Sequence, residues 1–405
     1  MPREMAPDRE SAQDERQEAG APEDCGHPTP FSAASHGHKL DFLPDGAGRY
    51  AALLELIESA QHTLHLFYYM FQDDESGAGV LSALVASAER GVDVQLIVDR
   101  FGTDAGEAFF RPLRDVGGSF ALFNPRWSRR YLIRNHQKMA IADGKTALVG
   151  GFNVSDHYFA PPEENGWCDL GVRVEGPVVE HLLGWYRQIA DWIEDRHARY
   201  RTIRTMVREW DPGDSAVRML VGGPTAVPSN WARQVKADLR KASRLDLVMA
   251  YFSPPLSFRR LIRRISKRGQ ARLVLAGKSD NTTTISAARA LYGALLRDDC
   301  QIYEFRPSKL HMKVLVIDDA VYFGSANFDH RSIRLNLELM FRFEDAELAS
   351  QMRALIDEMA EASEQVTYAV HCQRRGFFSY MRWLASLFLV SALDYTVTRR
   401  LNLRM

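Results

Sequence analysis

Hydrophobic and polar positions follow a regular order from about residue 40 onward. Apolar residues recur at helical spacing over residues 50–59 and 80–90, and strand-like apolar runs cover residues 63–71 and 92–98. Helices that alternate with strands in this way are typical of an α/β fold, in which helices flank a mixed β-sheet.

The same order returns in the second half of the chain. Helical spacing covers residues 231–242 and 258–267, and strand-like runs cover residues 245–252 and 271–275. Arg90-Gly91 corresponds to Arg268-Gly269, and His136 corresponds to His311 at nearly the same offset along the chain. A repeat of this length is a domain-sized unit, so the sequence predicts two tandem, similar α/β halves packed face to face.

The two ends of the chain differ from these halves. Residues 1–38 are polar and rich in Pro, Gly, Ser and His, which predicts a disordered lead-in. We place the first half at residues 39–212, the second half at 213–370 and a basic, aromatic, amphipathic segment at 371–405. The N-terminus lacks a basic start followed by an apolar run, so we expect no secretory signal peptide and a cytoplasmic enzyme body.

Composition indicates a globular protein and gives no overall signal for a charged partner. The 405 residues are 46% hydrophobic, and the formal net charge is -1. A wholesale nucleic-acid-binding protein would carry a basic excess, so attraction to an anionic partner must come from local patches. The four cysteines, at positions 25, 168, 300 and 372, lie far apart and fit neither a metal site nor a disulfide scaffold.

Two copies of one short motif stand at corresponding positions of the repeat. Residues 136–143 read HQKMAIAD and are followed by GGFN at residues 150–153. Residues 311–318 read HMKVLVID and are followed by GSAN at residues 324–327. A single His-x-Lys pair on a strand is ordinary protein surface, whereas two copies at matching repeat positions indicate one shared active site.

The spacing of these motifs suits phosphate chemistry. Side chains two positions apart on a strand project from the same face, so the His and Lys of each motif can meet one phosphate. Imidazole can attack phosphorus or shuttle a proton near neutral pH, so two histidines permit a two-step displacement. Small residues at Gly151 and Ser325 would let backbone N–H groups approach the phosphate, and lysines and asparagines supply further donors. The candidate side-chain donors are Lys138, Lys313, Asn153 and Asn327.

These paired motifs resemble those of the phospholipase D superfamily, and residues 40–375 resemble bacterial cardiolipin synthases. The narrower resemblance is carried by NHQK at residues 135–138, by GWCD at 166–169 leading to EGP at 175–177, and by RLNLE at 334–338. It implies a phospholipase D-like fold with the active site at the interface of the two halves, and it implies no metal or other cofactor.

The resemblance also implies a role for each candidate residue. We take His136 as the nucleophile that forms a phosphohistidine and His311 as the general acid and then base, an order that the sequence leaves open. A carboxylate downstream of each motif orients the catalytic imidazole in that family, and Asp169 and Glu338 occupy these positions. Asp143 and Asp318 complete the catalytic signature, but a turn aspartate more often caps a structure than reacts, so we assign them support.

The leading functional hypothesis is a cardiolipin synthase-type transfer of a phosphatidyl group to phosphatidylglycerol. A phospholipase D hydrolase uses the same motifs with water as the acceptor, and sequence does not separate the two. A phosphodiesterase acting on nucleic acid is favoured if the basic residues 126–130 line the site, and the near-zero net charge disfavours it. Two intact motifs disfavour a non-catalytic scaffold.

The C-terminal segment bears on membrane attachment. Arginines flank and interrupt an aromatic and apolar stretch after residue 375, and its uninterrupted apolar character spans about ten residues, short of the roughly 20 that a spanning helix needs. We expect an interfacial helix on an anionic membrane and a peripheral location at the cell (inner) membrane, and the alternative is a helix that packs on the protein core. The sequence does not indicate an oligomeric state.

Overall fold

The computed structural model describes residues 27–124, 133–195, 200–279 and 281–393. In the first half the strands are β1 (Phe31–Ser35), β2 (His38–Leu43), β3 (Thr63–Tyr68), β4 (Asp93–Asp99), β5 (Ser119–Phe123), β6 (Met139–Ala142), β7 (Thr146–Gly150), β8 (Trp167–Cys168) and β9 (Gly171–Glu175). The helices are α1 (Gly46–Ser59), α2 (Glu75–Glu89), α3 (Arg111–Asp115), α4 (Asp156–Phe159), α5 (Val178–Glu194) and α6 (Tyr200–Glu209), with a 3-10 turn at Pro162–Glu164.

The second half repeats this order. Its strands are β10 (Val217–Gly222), β11 (Arg244–Met249), β12 (Phe252–Ser253), β13 (Gln270–Ala276), β14 (Gln301–Phe305), β15 (Lys309–Leu310), β16 (Lys313–Ile317), β17 (Ala320–Gly324), β18 (Phe328–Asp329), β19 (Glu338–Glu344) and β20 (Ser363–Gln365). Its helices are α7 (Asn230–Lys241), α8 (Leu256–Arg268), α9 (Thr282–Leu296), α10 (His330–Arg334), α11 (Ala346–Glu361), α12 (Tyr368–Arg374) and α13 (Phe377–Phe388), which continues into a π-helical turn at Leu389–Leu393.

Each half is built on one mixed, eight-stranded sheet. The strand orders are β1-β2-β9-β7-β6-β3-β4-β5 and β10-β19-β17-β16-β11-β13-β14-β20. Strands separated by a helix, such as β3 and β4 or β11 and β13, are parallel, and the motif hairpins β6-β7 and β16-β17 are antiparallel. The seven neighbouring strands from β2 to β5 in the first order correspond one to one to the seven from β10 to β14 in the second. The predicted α/β fold of two similar halves is therefore confirmed.

The two sheets share one hydrophobic core. All residues of β6 and β16 are buried, because one face of each strand packs against the opposite half and the other face packs under helices. The rings of Phe42 in β2 and Phe323 in β17 meet edge to face with centroids 5.5 Å apart. Burial of this apolar surface is the main contribution that holds the halves together.

Regular structure begins earlier than the pattern of the lead-in predicts. The strand β1 starts at Phe31 and pairs along its length with β2, and the Phe31 ring stacks on Phe42 with centroids 4.5 Å apart. His27 already contacts Ser308 Oγ at 2.8 Å. Residues 27–38 are therefore ordered by pairing and packing that a polar composition does not reveal, and residues 1–26 lie outside the described part of the chain.

The C-terminal segment packs on the second half through one face only. Helix α12 begins before the predicted boundary at residue 371, and α13 packs along α9 with the Trp383 side chain buried. The opposite face of α13 stays open, since Phe377 and Phe378 are 74% and 86% exposed. The alternative of a helix that packs on the protein core thus holds for one face of α13, and the interfacial helix on a membrane stays a prediction. Within the described ranges, no helix is long and apolar enough to cross a membrane.

Candidate active site

A cleft of about 280 Å³ opens between the two halves and receives both motif histidines. Each half contributes residues to its walls. The lining residues are Tyr69, Met70, Arg134, His136, Asn153, Tyr158, Trp167, Tyr251, Asn281, His311, Asn327, Asp329, Arg331, Ser332 and Asn336. The expectation of one site at the interface is met by this placement.

His136 is fixed by a carboxylate from the second half. The backbone N–H of His136 donates to the carbonyl oxygen of Leu337 at 2.9 Å, which places it beside the first residue of β19. That residue is Glu338, and its Oε2 lies 3.1 Å from His136 Nδ1. The Glu338 side chain is fully buried and also accepts the Ser325 hydroxyl at 2.6 Å, so it is held in place on two sides.

His311 is fixed in the same way by a carboxylate from the first half. Strand β15 pairs in parallel with β8, and the His311 N–H donates to the carbonyl oxygen of Cys168 at 2.7 Å. Asp169 follows directly, and its Oδ2 lies 2.6 Å from His311 Nδ1. Each histidine therefore takes its carboxylate from the opposite half, and not from the residue downstream of its own motif.

Burial and neighbouring charges set the protonation states of His136 and His311. Burial and the nearby Lys138 lower the pKa of His136 to about 4, although Glu338 opposes this shift. Burial and Lys313 likewise lower the pKa of His311, against Asp169. Both imidazoles are neutral at neutral pH. A carboxylate at Nδ1 holds the proton on that nitrogen, which leaves the lone pair on Nε2 as the nucleophile or base.

The carboxylates remain ionised in this buried setting. Burial raises the pKa of Asp169, but the positive charge of Lys313 and the interaction with His311, which includes a hydrogen bond, outweigh it and keep that pKa below its ordinary value. Burial also raises the pKa of Glu338, but the interactions with His136 and Lys138 outweigh it and keep that pKa below its ordinary value. Two anions thus face two histidines, an arrangement that stabilises whichever imidazolium forms.

The motif lysines are buried behind the histidines. Lys138 Nζ donates to the carbonyl oxygen of His136 at 2.6 Å, and burial holds the pKa of Lys138 well below its ordinary value. Lys313 Nζ bonds to the carbonyl oxygen of His311 and lies 2.7 Å from its Nδ1. Neither lysine is among the cleft-lining residues, so in this structure each ammonium group bonds to its own motif rather than pointing into the cleft.

The motif asparagines lie in the cleft wall. Asn153 accepts the Met70 N–H at 3.1 Å through Oδ1 and donates to the Tyr158 hydroxyl at 2.9 Å through Nδ2. Asn327 occupies the corresponding position of the second half and lines the same cleft. Amide groups held in this way are suited to binding phosphate oxygens.

The small residues after each motif do not offer backbone N–H groups to a phosphate, which corrects the expectation. The Gly151 N–H donates to the carbonyl of Leu170 and the Ser325 N–H to that of Leu339, because both residues continue the sheet ladder. A Cβ at Gly151 would stand 2.4 Å from Asp169 Oδ1. Gly151 thus makes room for one carboxylate, and the Ser325 hydroxyl bonds the other.

The signature aspartates lie outside the cleft and hold turns. Asp143 has φ 53° and accepts the N–H groups of residues 61, 62 and 63 at 2.8 to 3.0 Å. Asp318 has φ 47° and accepts the Arg244 N–H at 2.8 Å as well as the Ser243 N–H and hydroxyl. Both carboxylates join the motif hairpin to the start of a neighbouring strand. The two aspartates complete the signature but are not among the residues that line the cleft, which corrects their place among the catalytic residues.

Aromatic side chains surround the two histidines, and one buried arginine supports them, in contacts that the motifs do not indicate. Tyr69 packs on His136 with ring centroids 5.1 Å apart, and Tyr158 and Trp167 each lie 5.2 Å from His311. The fully buried Arg49 donates to the carbonyl oxygens of Asp169, Tyr158 and Trp167 at 2.6 to 2.9 Å and so clamps the wall of the cleft. An arginine on the apolar face of α1 was the available signal.

Two further expectations concern groups beyond this cleft. The basic segment at residues 126–131, on which the nucleic-acid alternative depends, lies outside the described residues. Across the ranges that the structure describes, no group of three or more His, Cys, Asp or Glu side chains is placed to hold a metal ion.

A family model described as "Cardiolipin synthase, PLD-like domain" matches residues 53–184 and 235–360, which together exceed half of the chain. The chain belongs to this family of phospholipase D-like enzymes. Both matched stretches contain one motif histidine with its following strands. The family resemblance drawn from the motifs is thereby confirmed, and with it the assignment as an enzyme of the cardiolipin synthase type.

Individual relatives agree with the family. The chain is 31% identical over 352 residues to the major cardiolipin synthase ClsA of Bacillus subtilis, a match covering 83% of this chain and 72% of that protein. It is 28% identical over 311 residues to cardiolipin synthase B of Shigella flexneri, covering 75% of each. The crystal structure of phosphatidylserine synthase from Haemophilus influenzae superimposes with a TM-score of 0.72 at 14% identity, covering 92% of this chain and 97% of that chain, which shows a common fold.

Proposed function

We propose that this enzyme transfers a phosphatidyl group from one phosphatidylglycerol to another, forming cardiolipin and releasing glycerol. The observation that carries the proposal is the pair of neutral histidines in one cleft, each held at Nδ1 by a buried carboxylate from the opposite half. Such a pair supplies a nucleophile and a separate proton carrier, which a double displacement at phosphorus requires.

In the first step, His136 Nε2 attacks the phosphorus of the donor lipid. A P–N bond forms, the P–O bond to glycerol breaks, and the departing alkoxide takes a proton from His311. A phosphate anion in the cleft raises the pKa of a neighbouring histidine, so the bound donor favours the imidazolium form of His311. The shorter carboxylate contact of His311, 2.6 Å against 3.1 Å at His136, supports giving it the charged role.

In the second step, the terminal hydroxyl of the acceptor lipid attacks the phosphohistidine. His311, now neutral, takes the hydroxyl proton while the P–N bond breaks, which restores His136 and leaves His311 protonated for the next cycle. Water in place of the alcohol would give phosphatidic acid, so the hydrolase remains the second outcome of the same chemistry.

The phosphate oxygens are assigned to the donors around the histidines. Asn153 and Asn327 line the cleft, and the ammonium groups of Lys138 and Lys313 lie directly behind the imidazoles. A substrate phosphate competes with a neutral carbonyl for each ammonium, and the charge-assisted bond to phosphate is the stronger of the two. We assign Asp143 and Asp318 to support of the hairpins.

The open face of α13 is proposed to dock on an anionic phospholipid bilayer. Phe377, Phe378, Met381 and Phe388 are exposed on this helix, and the exposed Arg382 lies among them. Helix α13 packs along α9, whose N-cap Asn281 lines the cleft. Arginines next to an apolar face suit an anionic lipid surface.

The test is product analysis after incubation of purified protein with phosphatidylglycerol vesicles. Thin-layer chromatography and mass spectrometry should find cardiolipin and glycerol for the wild type and neither for His136→Ala or His311→Ala. His181→Ala, which removes an exposed histidine of α5, serves as the matched control and should leave product formation unchanged. Phosphatidic acid as the main product would make the enzyme a hydrolase, and no lipid turnover would refute the lipid substrate.

A further inference from the structure

Two arginines bring positive charge into the cleft, and the repeat of the chain places no arginine at the corresponding positions of the other half. Arg134, from the loop before β6, and Arg331, from α10, both line the cleft. Arg134 stands two positions before His136, and the corresponding residue before His311 is Lys309. Lys309 lines a neighbouring cavity. The counterpart of Arg331, four residues after the motif asparagine, is His157, whose ring stacks on Trp167.

The two arginines share the cleft with Tyr69. The Tyr69 ring packs on His136 with centroids 5.1 Å apart. Burial raises the pKa of this tyrosine, and the charges of Arg134 and Arg331 together with a hydrogen bond from Arg134 oppose the shift. The Arg134 guanidinium also lies over the Phe101 ring at 4.0 Å, which restricts its orientation.

The loop that carries Arg134 is anchored from below. Asp99, at the end of β4, accepts the N–H groups of Asn135 and Phe101 at 2.8 Å each, and its carboxylate is almost fully buried. The carbonyl oxygen of Arg134 accepts the Leu337 N–H at 3.0 Å. On the other side, Asp329 is the N-cap of α10 and accepts the Ser332 N–H at 2.7 Å, which fixes the turn that carries Arg331. Both arginines therefore project from fixed backbone.

The proposed reaction needs a second anion site. The donor phosphorus lies between the histidines, but the acceptor lipid has a phosphodiester of its own, one glycerol unit away from its attacking hydroxyl. Guanidinium groups recognise phosphate through paired hydrogen bonds and stay charged at any physiological pH. We propose that Arg134 and Arg331 form a subsite for the phosphodiester of the acceptor phospholipid, an inference that rests on the proposed transferase function.

This subsite gives a physical reason for transfer in preference to hydrolysis. Holding the acceptor phosphate presents the terminal hydroxyl to the phosphohistidine at high effective concentration, whereas water gains nothing from the arginines. An acceptor without a phosphate, such as free glycerol, also gains nothing. The arginines should therefore separate acceptors by charge while leaving formation of the phosphohistidine unaffected.

The experiment compares two acceptors on the same donor. Phosphatidylglycerol vesicles are incubated with deuterated glycerol, and mass spectrometry follows cardiolipin formation and exchange of labelled glycerol into phosphatidylglycerol. Arg134→Gln and Arg331→Gln should each lower cardiolipin formation by about tenfold or more, as expected for loss of a charge-assisted hydrogen bond, and change glycerol exchange by less than about threefold. Lys309→Gln is the matched control and should change neither rate.

The outcomes are distinct from one another. Equal loss of both reactions would overturn the subsite, because the arginines would then act on the donor phosphate or on the fold. Unchanged cardiolipin formation would overturn it as well. Arg134→Lys and Arg331→Lys, which keep the charge, should fold like the wild type and retain part of the cardiolipin activity. A wild-type protein that performs neither reaction would refute the proposed function itself.

Discussion

His311 Nδ1 lies 2.6 Å from Oδ2 of Asp169, although the two residues belong to opposite halves of the chain. The equivalent contact between His136 and Glu338 crosses the interface in the other direction. Parallel pairing of β8 with β15, and of Asn135 with Leu337, sets both contacts. Each half therefore completes the histidine of the other, and the site exists only when both halves are packed together.

The roles of the two histidines can be separated with a donor whose leaving group needs no proton. With phosphatidyl-p-nitrophenol, His311→Ala should still release one equivalent of p-nitrophenolate in a burst and then stall, because attack by His136 does not need a general acid. His136→Ala should give no burst. Stopped-flow absorbance measures both, and a burst in His136→Ala without one in His311→Ala would reverse the assignment.

Because each carboxylate contacts the histidine of the opposite half, its substitution should impair the step that this histidine performs. Asp169→Asn should lower kcat with a natural donor by about 100-fold and keep the p-nitrophenolate burst, because it acts through His311. Glu338→Gln should slow the burst itself, because it acts through His136. Glu175→Gln, a partly exposed carboxylate of β9, is the control and should behave as wild type. The opposite pattern would contradict the pairing seen across the interface.

Acid should destabilise the protein in part through His136. Its pKa falls from 6.5 to about 4 on folding, so between these values the unfolded chain binds a proton that the folded chain does not. This contribution to stability is complete above pH 6.5 and is lost as the pH falls. In urea denaturation at several pH values, His136→Gln should reduce the slope of unfolding free energy by up to about 1.4 kcal/mol per pH unit. An unchanged slope, with His181→Gln as control, would contradict this.

The signature aspartates should matter for stability and not for chemistry. Asp318→Ala removes the carboxylate that bonds Ser243 and Arg244 and places alanine at φ 47°, so it should lower the free energy of unfolding by about 1–3 kcal/mol. The folded variant should keep its kcat. The adjacent Asp319→Ala removes an exposed side chain and is the control for both measurements. A large fall in kcat without loss of stability would return Asp318 to the catalytic set.

The open face of α13 should determine vesicle binding. Replacing Phe377 and Phe378 by Ser removes two rings that are 74% and 86% exposed, so folding stability should change little. Sedimentation with phosphatidylglycerol vesicles should weaken by about tenfold or more, since each ring contributes on the order of 1.5–3 kcal/mol when buried in lipid. Val227→Ser, an exposed apolar residue elsewhere, should bind normally. If the variant without Phe377 and Phe378 bound vesicles as well as Val227→Ser does, the proposal that α13 contacts the membrane would be wrong.

The sequence by itself determined the repeat and the pair of motif histidines. Helical and strand spacing gave the order of elements in both halves, because local periodicity reflects which face of each element is buried. Two matching motifs identified His136 and His311 as partners, since a duplicated unit folds the same way twice. Asn153 and Asn327 were placed in the cleft for the same reason.

Only the tertiary structure decided which groups meet. The exchange of Asp169 and Glu338 between halves depends on pairing between strands far apart in the chain, which periodicity does not encode. The same holds for Arg49, whose burial is explained only by the carbonyl groups it contacts, and for the placement of Arg134 and Arg331 in one cleft. Local pattern follows from each segment alone, whereas contacts across an interface depend on how two finished surfaces fit.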